Sequence, residues 1–437
     1  MLWFLLVALV KYLLITTLAV LQPHMFSFKI MARPTLTIFY QFDPWQSSIG
    51  GIQTVVRNFV KYSLPEFKVR LVGISADDDS RIGQWHSRKL AGRQVDFLPL
   101  FRLANDDQRR LIPTSLRYAF ALRNKPLASD FIHFHRIEPT LFTAYWPGQK
   151  TLFVHNDIHQ QMQSGEAQGI LWRRFPQLYF AFERRLMPQF DQVLSCNSES
   201  TALYQQYYPH LAERISFVRN SFDGDVFYPL PAAERHRLSR QQALQMDLPA
   251  DTQFILFAGR LHPQKDPLLL LKALAHVSNP RAHLLVAGDG ELAAAMAVEV
   301  ERLNLAGRVT LLGAIGQAAL ANLHRIASLF VLTSAYEGLP LVVLEALACG
   351  TPVVTTNAGE TPRLLHSDCG LVCRDRAPET IASAWETVLG NREQFPSTAC
   401  VGNAQPYSAE SVVKTIYKDM LRRWSSQHAV SARSVFN

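Results

Sequence analysis

From residue 35 onward, short apolar runs rich in β-branched residues alternate with segments whose apolar positions recur at helical spacing. This is the pattern of a parallel sheet covered by helices on both faces. In the first half the runs predict strands at 36–39, 69–74, 131–134, 152–154 and 193–196. After the first of these, Ile52, Val55, Val56, Phe59 and Val60 take the i, i+3, i+4, i+7, i+8 positions of a core-facing helix. Beyond Ser221 the alternation stops. Residues 227–253 are polar, punctuated by proline and without a strand, which predicts a domain boundary. A second series then predicts strands at 254–258, 284–287, 309–312, 329–332 and 353–355, each followed by a helix-like segment. The expected class is α/β, with two Rossmann-like, doubly wound domains over 34–226 and 250–400. In the tail, Val412, Val413, Ile416, Tyr417, Met420 and Leu421 lie on one stripe of an amphipathic helix expected over 405–426.

The amino terminus departs from this pattern. Residues 2–21 are apolar over the length of a bilayer-spanning helix, interrupted by Lys11 and by Thr16 and Thr17. A secretory signal would carry a basic stretch before the apolar run and a small-residue cleavage site after it, and both are poorly matched. Two expectations stand for residues 1–30. In one they are a membrane anchor, with His24, Lys29 and Arg33 holding the following domain on the cytoplasmic side. In the other, Met25 or Met31 is the true start.

Composition narrows the classes. The 437 residues, 48% hydrophobic and 18% charged, suffice for two or three packed domains and exclude wholesale disorder, a collagen-like chain and a polytopic membrane protein. Five scattered cysteines provide neither a disulfide framework nor paired zinc ligands, and read as buried, reduced thiols in a cytoplasmic setting. A net charge of +8 favours acidic partners such as nucleotide phosphates or an anionic lipid surface. No long basic run or aromatic RNA-binding signature supports nucleic acid as a partner.

Three segments of the second half carry candidate chemistry. Gly259-Arg260-Leu261-His262-Pro263-Gln264-Lys265-Asp266 follows a strand and opens a helix, so that Arg260, Lys265 and a helix amino terminus can converge on a diphosphate or remain solvated charges. Gly288-Asp289-Gly290 forms a second glycine turn at the same kind of edge, which a plain tight turn also explains. In TSAYEGLPLVVLEALACG (333–350), Glu337 lies in the loop after a strand, Gly338 to Pro340 can present free N–H groups, and Glu345 lies about one turn into the helix. Two carboxylates so spaced suit hydroxyl-rich ligands, each accepting two sugar hydroxyls while loop amides receive phosphate oxygens.

The Glu337-x7-Glu345 spacing, Gly259-Arg260 with Lys265, the Gly288-Asp289-Gly290 turn, and Arg219-Asn220 with Asp223 and Phe227 resemble the retaining glycosyltransferases of family 4 from about residue 36 to 421. That resemblance implies the GT-B fold, two Rossmann-like domains facing each other across a cleft, with the tail helix crossing back to the first. It implies that Arg260 and Lys265 clamp a donor diphosphate and that Glu345 holds the nucleotide ribose. Glu337 would contact the transferred sugar, while Gly338, Leu339, Pro340 and Leu341 lie against sugar and phosphates. In the first domain Gly50 and Gly51 match the family's glycine loop, and a helix-entry turn also fits. His155 matches its histidine beside the donor sugar, singled out over His133, His135 and His159. One departure is Ala358-Gly359-Glu360-Thr361-Pro362-Arg363, where Arg363 replaces an expected acid. It bears on that loop and on donor choice, not on the phosphate clamp.

The implied reaction moves a sugar from a UDP- or GDP-sugar to a hydroxyl of a glycan or lipid-linked acceptor in cell-surface polysaccharide or lipopolysaccharide synthesis, in the cytoplasm or at the inner face of the cytoplasmic membrane, with catalysis by positioning and electrostatics and no metal or other cofactor. The rivals are a nucleotide-sugar epimerase of the same fold, a non-catalytic module docked on a membrane, and a nicotinamide oxidoreductase. The last is opposed by the lack of Gly-x-Gly-x-x-Gly between Gln41 and Gly51. The segment 171–187, with Trp172, Phe175, Tyr179 and Phe182 among Arg173, Arg174, Arg184 and Arg185, suggests either an interfacial helix on anionic lipid or an ordinary helix with core aromatics and solvated arginines.

Overall fold

A computed structural model describes residues 33–46, 51–77, 81–103, 113–155 and 176–434. The apolar segment 1–30, Gly50 and His159 lie outside the described residues. The described chain forms two sheets.

The first contains β1 (Thr35–Phe39), β2 (Lys68–Ser75), β3 (His86–Leu90), β4 (Arg93–Arg102), β5 (Phe131–Phe134), β6 (Gln149–Val154), β7 (Gln192–Ser195) and β8 (Ile215–Phe217), in the order β3-β4-β2-β1-β5-β6-β7-β8. Every pairing is parallel except the β3–β4 hairpin. The second contains β9 (Gln253–Ala258), β10 (Ala282–Ala287), β11 (Val309–Gly313), β12 (Leu329–Leu332), β13 (Val353–Thr355) and β14 (Gly370–Val372), all parallel, in the order β11-β10-β9-β12-β13-β14. Counted from β9 this is the 3-2-1-4-5-6 order of a dinucleotide-binding sheet, which reverses direction between β9 and β12.

The apolar runs become central strands because both faces are covered. All residues of β10 and β12 are buried, and the Gly51–Lys61 helix buries Val55, Val56, Phe59 and Val60 on β1 and its neighbours. The hairpin escaped the sequence reading because β3 is HSRKL, an edge strand of mostly polar residues with a single buried side chain, Leu90. The polar stretch expected as a plain boundary contains a helix, Ala232–Gln245, in which only Ala243 is buried, so it carries no apolar stripe. That helix is fastened to the second domain instead by Arg235, which donates to Gly350 O at 2.8 Å and to Ala327 O.

The chain passes between the domains twice, side by side. Phe222 N donates to Tyr407 O (3.1 Å) and Ala409 N to Phe222 O (2.8 Å). The final helix, Ala409–Ser434, then lies on the first domain: Tyr417 is fully buried, its ring packs edge-on to Phe67 and its hydroxyl donates to Phe59 O at 2.9 Å. Trp424 Nε1 donates to Asp130 at 3.4 Å. Removal of this anchor by Tyr417→Ala should cost about 3–5 kcal/mol, against about 1 kcal/mol for Tyr417→Phe, which loses the hydroxyl alone. Urea unfolding of the full chain measures both.

Candidate functional site

In an open α/β sheet the crevice lies outside the carboxyl ends of the strands where the order reverses. In the second domain that point is between β9 and β12, and the segments leaving those strands are 259–266 and 333–341. The two are stitched together. Thr333 Oγ1 donates toward the carbonyls of Lys265 and Asp266 (2.9 Å each), Ala335 N donates to Gln264 O (2.8 Å), and Gln264 Nε2 donates to Tyr336 O (3.1 Å).

At the centre Lys265 Nζ is ion-paired with Glu337, whose Oε1 also accepts from Ser334 Oγ at 2.6 Å. The side chains are only 16% and 7% exposed, so each charge is shielded from water and depends on the other. Arg260, by contrast, is exposed beyond β9 and makes no ion pair with a described residue. The two cations expected to act as one clamp therefore begin in different states.

Asp266 takes a left-handed conformation (φ 45°) to cap the Pro267–Ala275 helix, accepting from Leu269 N, and is held by Arg376 at 2.5 Å. Glycine supplies the close approaches. A Cβ on Gly288 would lie 1.8 Å from the carbonyl oxygen of Gly259, and the Gly288 amide is already donated to Gly313 O at 2.8 Å. Gly288 therefore works as a packing turn, with its N–H not offered to a ligand. Gly359 is left-handed (φ 63°), and a Cβ there would sit 2.3 Å from the carbonyl oxygens of Glu337 and Gly338, allowing Glu360 N to donate to Gly338 O. The N–H groups of Gly338 and Leu339 have no acceptor among the described residues, and the Leu341–Ala348 helix follows with Pro340 at its N-cap. Free loop amides and a helix amino terminus thus adjoin the ion pair.

Glu345 lies in that helix, 4% exposed, with no hydrogen-bond or ion-pair partner among the described residues. Burial pushes its carboxyl up to about 8, so the neutral acid is the resting form at neutral pH. Glu337 does not cap the helix, whose N-cap is Pro340, and both carboxyls are buried.

The first domain turns its own strand ends to this crevice. A Cβ on Gly338 would meet His155 O at 3.0 Å, and one on Gly51 would lie 3.9 Å from Leu341 Cδ1. Asn220 Nδ2 donates to Leu339 O (2.9 Å), and Gln317 Nε2 to Thr54 Oγ1 (3.3 Å). Glu360 accepts from Ser198 N and Oγ (2.5 and 2.6 Å), while Arg363 reaches Glu199 at 2.6 Å. The arginine that departs from the family pattern thus forms part of the contact between the domains.

The His155 ring is half-buried and engaged at both nitrogens. Its Nε2 is 2.8 Å from His135 Nδ1, and its Nδ1 is 3.9 Å from Cys196 Sγ. Burial, with the nearby Arg136 charge, lowers His155 to about 4. Sequence reasoning passed over His135, since a histidine one residue past a strand is ordinarily core. The signal that could have found it is the adjacency of β5 and β6.

Within 171–187 the described residues place Tyr179 in the core and Phe182 half-buried, with Arg184 and Arg185 exposed. Core burial of Tyr179 fits an ordinary helix whose arginines face solvent, and Trp172, Arg173, Arg174 and Phe175 lie outside the described residues. Among the described residues no helix is long and apolar enough to cross a membrane, and no group of histidine, cysteine and acidic side chains could hold a metal. All five cysteines are free and buried.

Residues 241–399 match the family described as glycosyl transferases group 1. A D-inositol 3-phosphate glycosyltransferase of Thermobispora bispora is 35% identical over 263 residues, 55% of this chain and 59% of that protein. A putative glycosyltransferase, EpsF of Bacillus subtilis, is 29% identical over 223 residues, 50% of this chain and 55% of that protein. The chain spans about half the length of the curated relatives it matches. Sucrose-phosphate synthase from Thermosynechococcus elongatus superposes with a TM-score of 0.73 at 19% identity, over 90% of this chain and 100% of that one. Anabaena HepE in complex with UDP-glucose superposes with a TM-score of 0.64 at 19% identity, over 90% of this chain and 100% of that one. The fold is GT-B.

The state of Glu345 sets a pH dependence. Its folded value, about 8, exceeds the ordinary 4.5, so between those values the unfolded chain has lost a proton that the folded chain retains. Stability therefore falls as pH rises through that window, and no penalty exists below it. Glu345→Gln should be more stable than the parent at pH about 8, on the order of 4 kcal/mol, and nearly indistinguishable at pH about 4.5. Thermal unfolding of both proteins at the two pH values checks this.

Proposed function

We propose, for a chain whose second domain belongs to the group 1 glycosyl transferases, that this protein transfers a sugar from a UDP- or GDP-sugar to a hydroxyl of a glycan or lipid-linked acceptor, with retention at the anomeric carbon. The observation that carries the reading is the shielded Lys265–Glu337 pair, with unpartnered Glu345 in the adjoining helix, at the point where the second sheet reverses order. A diphosphate entering there meets Arg260, the amides of Gly338 and Leu339 and the amino terminus of the Leu341–Ala348 helix. It also competes with Glu337 for Lys265. A carboxylate so released can accept two sugar hydroxyls, and the neutral Glu345 acid can donate its O–H to one ribose hydroxyl and accept from the other. Gly51 and His155 approach from the first domain.

The bond from the anomeric carbon to the diphosphate breaks with its electron pair passing to the phosphate oxygen, where Arg260, Lys265 and the loop amides stabilise the charge. The acceptor oxygen bonds on the same face and its proton passes to the departing phosphate. Such catalysis rests on positioning and electrostatic stabilisation, with no metal or covalent enzyme intermediate. The UDP-glucose complex of the structurally similar HepE supports a nucleotide-sugar donor. The protein works at the cytoplasmic face of the membrane, where Arg184 and Arg185 supply attraction to anionic lipid.

Arg260→Ala removes an exposed charge and should leave stability unchanged while weakening UDP or GDP binding by about 1.5–3 kcal/mol, tenfold or more. Calorimetry with both nucleotides measures it, and unchanged affinity would remove Arg260 from the site. In a transfer assay with UDP- and GDP-sugars, acceptor-independent conversion of the donor would point to an epimerase. In cosedimentation, Arg184→Glu with Arg185→Glu should halve the bound fraction, or more, on vesicles containing about one-third anionic lipid, and change nothing on neutral ones.

A further inference from the structure

Beside the crevice, the first domain contains a cluster of three nearly parallel rings. Phe153 and His135 are parallel (13°) with centroids 4.9 Å apart, and His135 and His155 are parallel (16°) at 5.1 Å. The His135 ring is boxed by Phe59 (6.3 Å, 68°) and Tyr40 (6.3 Å, 73°), both edge-on. His135 is 2% exposed, and among the described residues only Nδ1 of its two nitrogens has a partner, Nε2 of His155 at 2.8 Å; its own Nε2 is buried with none there. An apolar box with one orphaned nitrogen would hold a phenylalanine at lower cost, because burying an unsatisfied polar atom is unfavourable. What the imidazole adds is the single bond to His155.

We infer that His135 is a positioning residue: its Nδ1, hydrogen-bonded to Nε2 of His155, fixes the tautomer and rotamer of His155 and thereby the 155 peptide whose carbonyl oxygen abuts Gly338. The inference rests on the reading above in which His155 lies at the donor sugar. The charged and titratable groups facing the pair are Tyr40, edge-on to His135, His133, also buried, whose edge meets Phe59, Arg136 beside His155, and the Cys196 thiol at Nδ1 of His155. None of them supplies a negative charge. Burial and the neighbouring positive charge hold both imidazoles in the neutral form, so one proton lies between the two facing nitrogens: one ring donates and the other accepts. A neutral imidazole whose Nε2 is committed cannot flip without breaking that bond, and because χ1 links ring to backbone, the peptide at 155 is held with it. Gly338 has room for no side chain there, so a shift of the 155 carbonyl is transmitted directly to the loop beside the Lys265–Glu337 pair.

Full-length His135→Phe, His135→Gln and His135→Asn separate the bond from the packing. Phenylalanine keeps the stack and loses the bond, glutamine carries its amide past the Nδ1 position, and asparagine places a polar atom close to it. His135→Phe should unfold at the parental temperature or above and bind UDP or GDP within about twofold of the parent. It should lose about tenfold or more in kcat for sugar transfer with a much smaller change in donor KM. His135→Gln should follow it in kcat, and His135→Asn should recover most of the loss. By imidazole nitrogen NMR, His155 in the parent should remain one neutral tautomer from pH about 5.5 to 8.5, and in His135→Phe or His135→Gln should become a mixture or titrate. Parental kcat in His135→Phe, equal impairment of the asparagine and glutamine variants, or a His155 already mixed in the parent would each overturn the inference. If the parent transfers no sugar while its His155 tautomer is fixed and is lost in the variants, the bond stands and the proposed reaction fails.

Discussion

A charge shielded from water needs a partner, and at the carboxyl edge of the second sheet Lys265 and Glu337 supply each other's. Removing either leaves the other buried and uncompensated, a far larger perturbation than the loss of a surface pair. This mutual need draws the segments after β9 and β12 together across the reversal of strand order. Gln264, Thr333, Ala335 and Tyr336 reinforce the joint with hydrogen bonds, and Gly359 lets a third loop pack against it. The pair gives the crevice its shape and its reactivity together, since the cation that an anionic ligand would seek is the one that the carboxylate already holds.

Much of this was legible in the sequence, for a physical reason. The central strands are buried on both faces and must be written as continuous apolar runs, so 131–134, 329–332 and 353–355 appear in the structure with the bounds the runs predict. Edge elements carry no such obligation: β3 exposes alternate polar residues, and the Ala232–Gln245 helix is held by arginine hydrogen bonds to carbonyls rather than by an apolar stripe. At the site, spacing along one loop and helix located Glu337 and Glu345, and the junction after β9 located Lys265. That Lys265 would be committed to Glu337, or that Gly288 would spend its amide on Gly313, depends on contacts between segments far apart in the chain. His135 shows the limit most clearly, since its partner is 20 residues away on the neighbouring strand.

Across the crevice the domains also meet through polar contacts from loops and helix ends. Glu360 accepts from the first turn of the Ser198–Tyr207 helix, Arg363 reaches Glu199, and Asn220 donates to Leu339. Such contacts cost little to break compared with a packed apolar interface, which suits domains that must part to admit a ligand and close to exclude water. Arg363, the residue that breaks the family pattern, adds to this reversible set and leaves the buried pair untouched.

The last helix has a consequence for the way the protein is made. Tyr417 fills the first domain between Phe59 and Phe67, yet it is translated after every strand of the second domain. The amino-terminal half therefore emerges from the ribosome with a gap in its apolar interior that only the final residues can fill. During the synthesis of roughly half the chain that surface is open to solvent and to other nascent chains, and the order of assembly runs against the usual amino-terminal-first rule.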